Sequence, residues 1–235
     1  MNIQFKKLNN LRIFFPEIIL FLIFILLSFQ FFNYEKNLTN YVFEENLINY
    51  YGGLIRRGFL GSIALFFFQS FEINPKLFFT IIYYSLYIFL VLIFFYLINN
   101  LKKENFYLST LIVVSPATLL FVIFDNDALF RKEIFFILIF FIHVFIANKI
   151  FERKLVYVEY LKLNFYFIVP ILFFNILIHE FQFFLLFFHY LINLLVLNFL
   201  KKRNKIFNYL YIFLTVVFIT IILAGNENKV FDIEN

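Results

Sequence analysis

The sequence predicts an all-α, polytopic helical membrane protein, and three observations carry that prediction. Of its 235 residues, 63% are hydrophobic, 43 are Phe and only 15% are charged, against about 45–50% apolar and about 25% charged in an ordinary soluble domain. Mean hydropathy is +0.89, which is more apolar surface than a soluble fold can hide when burial at this size reaches only about 70%. The apolar residues also gather in runs near the roughly 20 residues that cross a hydrocarbon core about 30 Å thick, with short basic clusters between them.

Those runs predict about seven transmembrane helices within a single integral membrane domain, 1–235. Residues 13–33 form the first. They follow Lys6, Lys7 and Arg12 and lack a small-residue cleavage site, so they read as a signal-anchor rather than a removed leader. Pro16 and Glu17 suit its first turn, where a missing N–H and a negative charge cost little. Residues 77–98, 106–124 and 134–148 follow, and 206–224 is last. Pro116 and Pro170 fall inside runs, as tolerated kinks.

The stretch 163–200 is too long for one crossing, since its 38 residues would make a helix about 57 Å long. Its ionisable pair His179-Glu180 divides it into a hairpin, 163–178 and 181–200. Charge counting supports the fold-back. With a cytoplasmic N-terminus and the hairpin, 13 of the 20 basic residues lie inside (Lys6, Lys7, Arg12, Lys102, Lys103, Lys149, Arg153, Lys154, Lys162, Lys201, Lys202, Arg203 and Lys205), whereas a single crossing would divide them evenly. The resulting expectation is a bacterial inner (cytoplasmic) membrane protein with its N-terminus cytoplasmic and its C-terminus extracytoplasmic. Residues 58–71 are too short to span. Gly58, Gly61, Ser62 and Gln69 fall on one helical stripe, which predicts an interfacial amphipathic helix in the first outer loop.

This topology gathers the notable polar groups outside. The first outer loop carries Glu44, Glu45 and the run YGGLIRRGFLGS, in which Arg56 and Arg57 stand among glycines. Two guanidiniums beside Gly52, Gly53 and Gly58 can hold a phosphate bidentately, or simply anchor a helix at the headgroups. The second outer loop, DNDALFRKE, offers Asp125 and Asp127 as carboxylate bases or weak ligands for a divalent cation, beside Arg131 and Lys132 for a phosphate. Its structural alternative is an Asp127–Arg131 ion pair at i and i+4. His179 and Glu180 form the third group, because ionisable residues within an apolar run are costly and functional by default. No HExxH follows His179, which disfavours a zinc peptidase. His143 and His189 read as packed, hydrogen-bonded histidines rather than ligands.

Zero Cys excludes disulfides, iron–sulfur clusters and a cysteine nucleophile, and no resident cofactor is expected. The net charge of +5 is a topology signal here, not a nucleic-acid footprint. The expected partner is the lipid bilayer.

A first span leading to a long outer loop with Glu44 and Glu45, a helix in that loop lying at the membrane, and outward arginines and carboxylates together resemble bacterial C-type membrane glycosyltransferases and related surface-polysaccharide membrane proteins. The resemblance is architectural and covers about residues 13–180. It implies a polyprenyl-phosphate-linked sugar as donor, Glu44 or Glu45 as base, and Arg56 and Arg57 on the donor phosphate. Such enzymes usually have more spans and often an outer soluble domain, so seven passes fit either a compact member or a shortened reading frame. The alternatives are a transporter whose Asp125, Asp127, His179 and Glu180 line an ion or proton path, and a structural membrane subunit.

Overall fold

A computed structural model describes residues 14–33, 40–51, 58–115, 119–124, 126–179, 182–202 and 206–224. Among them every regular element is helical. Four stretches are long and apolar enough to cross a membrane: Phe15–Phe32, Pro75–Leu101, Glu133–Phe151 and Tyr157–Ile178. Gly58–Phe71 and Leu186–Phe199 are shorter apolar helices. The architecture is that of a helical membrane protein. Its outward faces agree, because Phe21, Phe29 and Phe32 are exposed on a helix whose other side is already packed, and lipid is the solvent that suits apolar side chains on both faces.

The chain divides into two units, the first comprising Met1–Val42 and Phe79–Arg131, the second Phe43–Phe78 and Lys132–Asn235. Helix α1 (Phe15–Phe32) starts with Pro16 and Glu17 in its first turn, as expected from the sequence. Leu20, Ile23, Leu27 and Phe31, three or four residues apart, form its buried stripe. Helix α2 (Asn40–Leu47) and helix α3 (Gly58–Phe71) follow, then α4 (Pro75–Glu104). Asn74 opens α4 by accepting the Lys76 N–H, 2.9 Å. In the first unit the Phe31 ring meets Tyr84, Tyr87 and Phe130, Ser28 bonds the Tyr84 hydroxyl at 3.1 Å, and Gln30 donates to the Ile123 carbonyl at 3.0 Å.

The expected helix 106–124 is not continuous. Asn105 caps α5 (Phe106–Val114) by accepting the Leu108 N–H. The helix then stops at Ser115, which takes φ −65° and ψ 127°. Pro116 is the reason: a residue before proline is pushed out of the α region. A short α6 (Leu120–Phe124) and a 3₁₀ turn (Asn126–Phe130) complete the unit. The segment expected to form a second outer loop holds a 3₁₀ turn, Asn126–Phe130, rather than the α-helical start the i, i+4 spacing assumed. Its Ala128, Leu129 and Phe130 are buried, with Phe130 against Phe31 and Tyr83.

The second unit is a bundle of α7 (Glu133–Phe151), α8 (Tyr157–Leu163) continuing through a π-helical turn (Asn164–Ile168) into α9 (Val169–Ile178), then α10 (Gln182–Phe199) and α11 (Ile206–Ala224). The span expected from 163 starts six residues earlier, at Tyr157, because Glu159 caps the helix by accepting the Val156 N–H at 3.1 Å. The π turn ends two residues before Pro170, whose ring would crowd the preceding turn of a regular helix.

The chain folds back between Ile178 and Gln182. Helix α9 ends with His179 extended (φ −157°, ψ 119°). The Tyr160 hydroxyl then reaches the Asn193 side chain at 2.6 Å, although 33 residues of straight helix would put them about 50 Å apart. Asn175, near the end of α9, donates to the Phe135 carbonyl at the start of α7, so those helices run antiparallel. Phe151 and Phe199 meet at 4.9 Å where α7 and α10 finish. Both helices end with a residue at positive φ, Arg153 (57°) and Lys201 (51°). In each case a 6→1 bond closes the turn, Lys154 to Lys149 and Lys202 to Leu197. Basic side chains suit these carbonyl-rich ends. Lys154, 2.7 Å from Glu152, holds that carboxyl below its ordinary range.

Helix α3 has the bounds expected of it, and of its predicted stripe Gly58 and Gly61 are packed, Ser62 is half-buried and Gln69 is exposed. Gly58, Leu60, Gly61 and Ala64 are buried. Ser62 accepts the Tyr50 N–H and donates to the Gly58 carbonyl, each at 2.8 Å. A methyl at Gly61 would overlap the Ile48 carbonyl, whereas one at Gly58 would meet mainly the Tyr50 ring. Gly61→Ala is therefore expected to cost about 1–3 kcal/mol and to lower the thermal midpoint in detergent more than Gly58→Ala, whose neighbouring ring can turn. Equal midpoints for Gly61→Ala and wild type would contradict this packing.

Candidate functional site

Among the described residues of the second unit two polar loci stand out, one at its loop end and one in its interior. At the loop end Lys132 is buried, and its ammonium donates to the Glu45 carbonyl at 2.8 Å. That bond joins the segment carrying Glu44 and Glu45 to the start of α7. Glu44 is exposed on α2 and Glu45 partly buried. His179 is buried, and it sits at this same end because Asn175, four residues before it, is bonded to Phe135, three residues after Lys132.

Arg131 is exposed and belongs to the first unit. Asp127 falls on the 3₁₀ turn of the first unit, with its side chain outside the described residues. Arg56, Arg57, Asp125 and Glu180 also lie outside them, so the phosphate-binding doublet and the cation expected at Asp125 and Asp127 stay expectations. Among the described residues no three His, Asp or Glu side chains converge as metal ligands. Gly58, read as a residue that lets a phosphate approach, instead packs beside Tyr50.

The interior locus is built from residues whose joint role the sequence reading missed. His143 of α7 places Nδ1 3.0 Å from Nδ1 of His189 on α10, the rings nearly parallel at 15°. His143 Nε2 lies 3.2 Å from the Tyr160 hydroxyl of α8, which donates to Asn193 Oδ1. Asn193 Nδ2 donates to the His189 carbonyl, 3.1 Å, and to the Tyr211 hydroxyl of α11, 3.0 Å. One connected set of side chains thus ties four helices together. His143, Tyr160 and His189 are fully buried and Asn193 nearly so, inside a core of Ile, Leu, Val and Phe. Asn164, on the π turn, donates to the Tyr160 carbonyl at 3.2 Å.

The expectation that His143 and His189 are packed and hydrogen-bonded agrees with this geometry. Their partnership was partly readable: His189 and Asn193 are four apart and so share one helical face. Tyr160 was hidden by a span start placed three residues too late to include it.

Within an apolar surround, hydrogen bonds of this kind are worth about 0.6–2 kcal/mol each. Tyr160→Phe should cost about 1 kcal/mol. Asn193→Leu should cost more, since it strands the Tyr160 hydroxyl and removes the tie to Tyr211. A double-mutant cycle on Tyr160 and Asn193, read as unfolding in detergent, should give a coupling of the sign expected for a lost bond, whereas strict additivity would contradict the contact. Comparison with protein-family models, with curated proteins and with solved structures finds nothing that matches this chain.

Proposed function

We propose that this chain is a multi-pass protein of a bacterial inner membrane, with seven crossings and an extracytoplasmic polar face, that transfers a sugar from a polyprenyl-phosphate carrier during surface-glycan assembly. The observation that supports it is the Lys132–Glu45 contact. It draws the segment carrying the two candidate bases onto the end of the bundle where His179 also lies. The basic ends of α7 and α10, with Lys149, Arg153 and Lys201, lie at the other end of the second unit. By the positive-inside tendency that end is cytoplasmic, which leaves the Lys132 end outside.

In this reaction the exposed Glu44 carboxylate takes the proton of an acceptor hydroxyl. The acceptor oxygen bonds to the anomeric carbon as the carbon–oxygen bond to phosphate breaks, and its electron pair leaves with the phosphate. Arg56 and Arg57 hold that departing charge. Lys132 acts as a positioning residue through its hold on the Glu45 backbone.

The test is transfer by membrane vesicles containing the protein, supplied with radiolabelled polyprenyl-phosphate sugars and scored for product and for donor consumed. Arg57→Ala should abolish product and Arg57→Lys should leave a remnant. Glu44→Gln should lower turnover on the order of 100-fold or more with donor binding kept. Undiminished transfer in Arg57→Ala and Glu44→Gln, or no donor consumed by wild type across the panel, would contradict the proposal.

A further inference from the structure

The hydrogen bonds around His143 and His189 have a direction, and it can be read without observing a hydrogen. The His189 backbone carbonyl only accepts, so the Asn193 atom 3.1 Å from it is the amide nitrogen. The amide oxygen then faces the Tyr160 hydroxyl at 2.6 Å and must accept its proton. Tyr160 has no second proton to give, so its oxygen accepts from His143 Nε2. His143 therefore carries its hydrogen on Nε2 and turns a lone pair at Nδ1 toward His189. His189 answers with a hydrogen on Nδ1. Its other nitrogen, Nε2, is left as a bare lone pair, and that atom is buried with no hydrogen-bond partner.

An orphaned buried acceptor is destabilising, and an apolar residue at 189 would avoid that cost. We propose that His189 Nε2 is a proton-binding site inside the membrane, its lone pair held ready by the directed chain Asn193–Tyr160–His143 and the added charge shared with His143. The ligand is a proton delivered from hydronium. Phe136 and Phe140 stand nearly perpendicular to the His189 ring at 5.3 and 6.0 Å, and a proton needs no further cavity beside them. Its arrival forms an N–H bond at Nε2 and releases water. The Nδ1–H···Nδ1 contact becomes a charge-assisted bond. Transfer of the bridging proton across its 3.0 Å then makes His143 the imidazolium and leaves His189 neutral, with its hydrogen on Nε2.

Among the described residues the neighbouring helices set no competing charge against the pair. Facing the pair are Tyr160 from α8 and Tyr211 from α11, with Tyr190 against Tyr211. Residues 164–178, the π turn and α9, include one titratable group, Tyr166, which is exposed. Glu159 and Lys162 on α8 are exposed, and Glu133 and Lys149 lie at the ends of α7. Among the described residues no carboxylate is set against the imidazoles, so an added proton has the paired ring as its partner. His189 is ten residues from the end of α10, about 15 Å into the bundle, which makes a charge there sensitive to conditions on both sides of the membrane.

Histidine-labelled protein in lipid bilayers, followed by nitrogen-15 solid-state NMR, tests this, with each of the three histidines assigned by single substitution. At neutral pH His143 should show its hydrogen on Nε2 and His189 on Nδ1. On acidification the two rings should change together as one proton is taken up. His189→Asn keeps a donor near the Nδ1 position and lacks the Nε2 lone pair, so His143 should lose its proton uptake over the same pH range. Should that variant fail to fold, Tyr160→Phe serves instead: it removes the group that orders the chain, and both histidines should become tautomer mixtures. A hydrogen on His189 Nε2 at neutral pH, unchanged His143 titration in His189→Asn, or unchanged tautomers in Tyr160→Phe would overturn the site.

Discussion

The bond from Tyr160 to Asn193 is the constraint on which the second unit depends. Helices in lipid gain little from apolar burial against one another, because lipid tails are as apolar as Leu, so close packing and polar contacts must decide which faces meet. Here the apolar faces are nearly featureless, rich in Phe, Leu and Ile over most of their circumference. A single hydroxyl–amide contact therefore sets a register that many interchangeable aromatic contacts cannot. Once Tyr160 meets Asn193, His143 and His189 are brought ring to ring and Tyr211 is drawn in. The turn at His179 follows from that register and needs no glycine or proline of its own.

Apolar runs were legible because their period and length follow directly from the thickness of the bilayer. The first span, the long helix after Asn74, the helix ending at Phe151 and the bounds of 58–71 were all readable in that way. What escaped were features set by backbone detail. Pro116 was read as a tolerable kink, yet the helix stops at Ser115. The stripe of Gly58, Gly61, Ser62 and Gln69 was read as the mark of an amphipathic helix, yet its two glycines are packed against chain. Hydropathy treats glycine as neutral and carries no information on how closely another strand of chain, here 47–50, comes to lie against it.

The candidate sites divide along the same line. Residues chosen for their charge, such as Glu44 and Lys132, were picked by type alone, and their sequence neighbourhood says nothing about the backbone carbonyl that Lys132 seeks 87 positions away. The interior network consists of residues that are neutral or nearly silent in a charge count: two tyrosines, an asparagine and two histidines. Each is unremarkable on its own run. Their meaning lies in the convergence of four helices on one point, which no single run records.

The fold-back is most directly tested by a distance. The chain has no cysteine, so spin labels at Phe151→Cys and Phe199→Cys would report one pair only, in protein reconstituted into bilayers. Pulsed electron paramagnetic resonance should return a narrow distribution below about 25 Å, the reach of two label linkers added to rings in contact at 4.9 Å and far short of an extended chain. A mean beyond about 50 Å, as a continuous rod from Tyr157 to Phe199 demands at 1.5 Å per residue, would contradict the account.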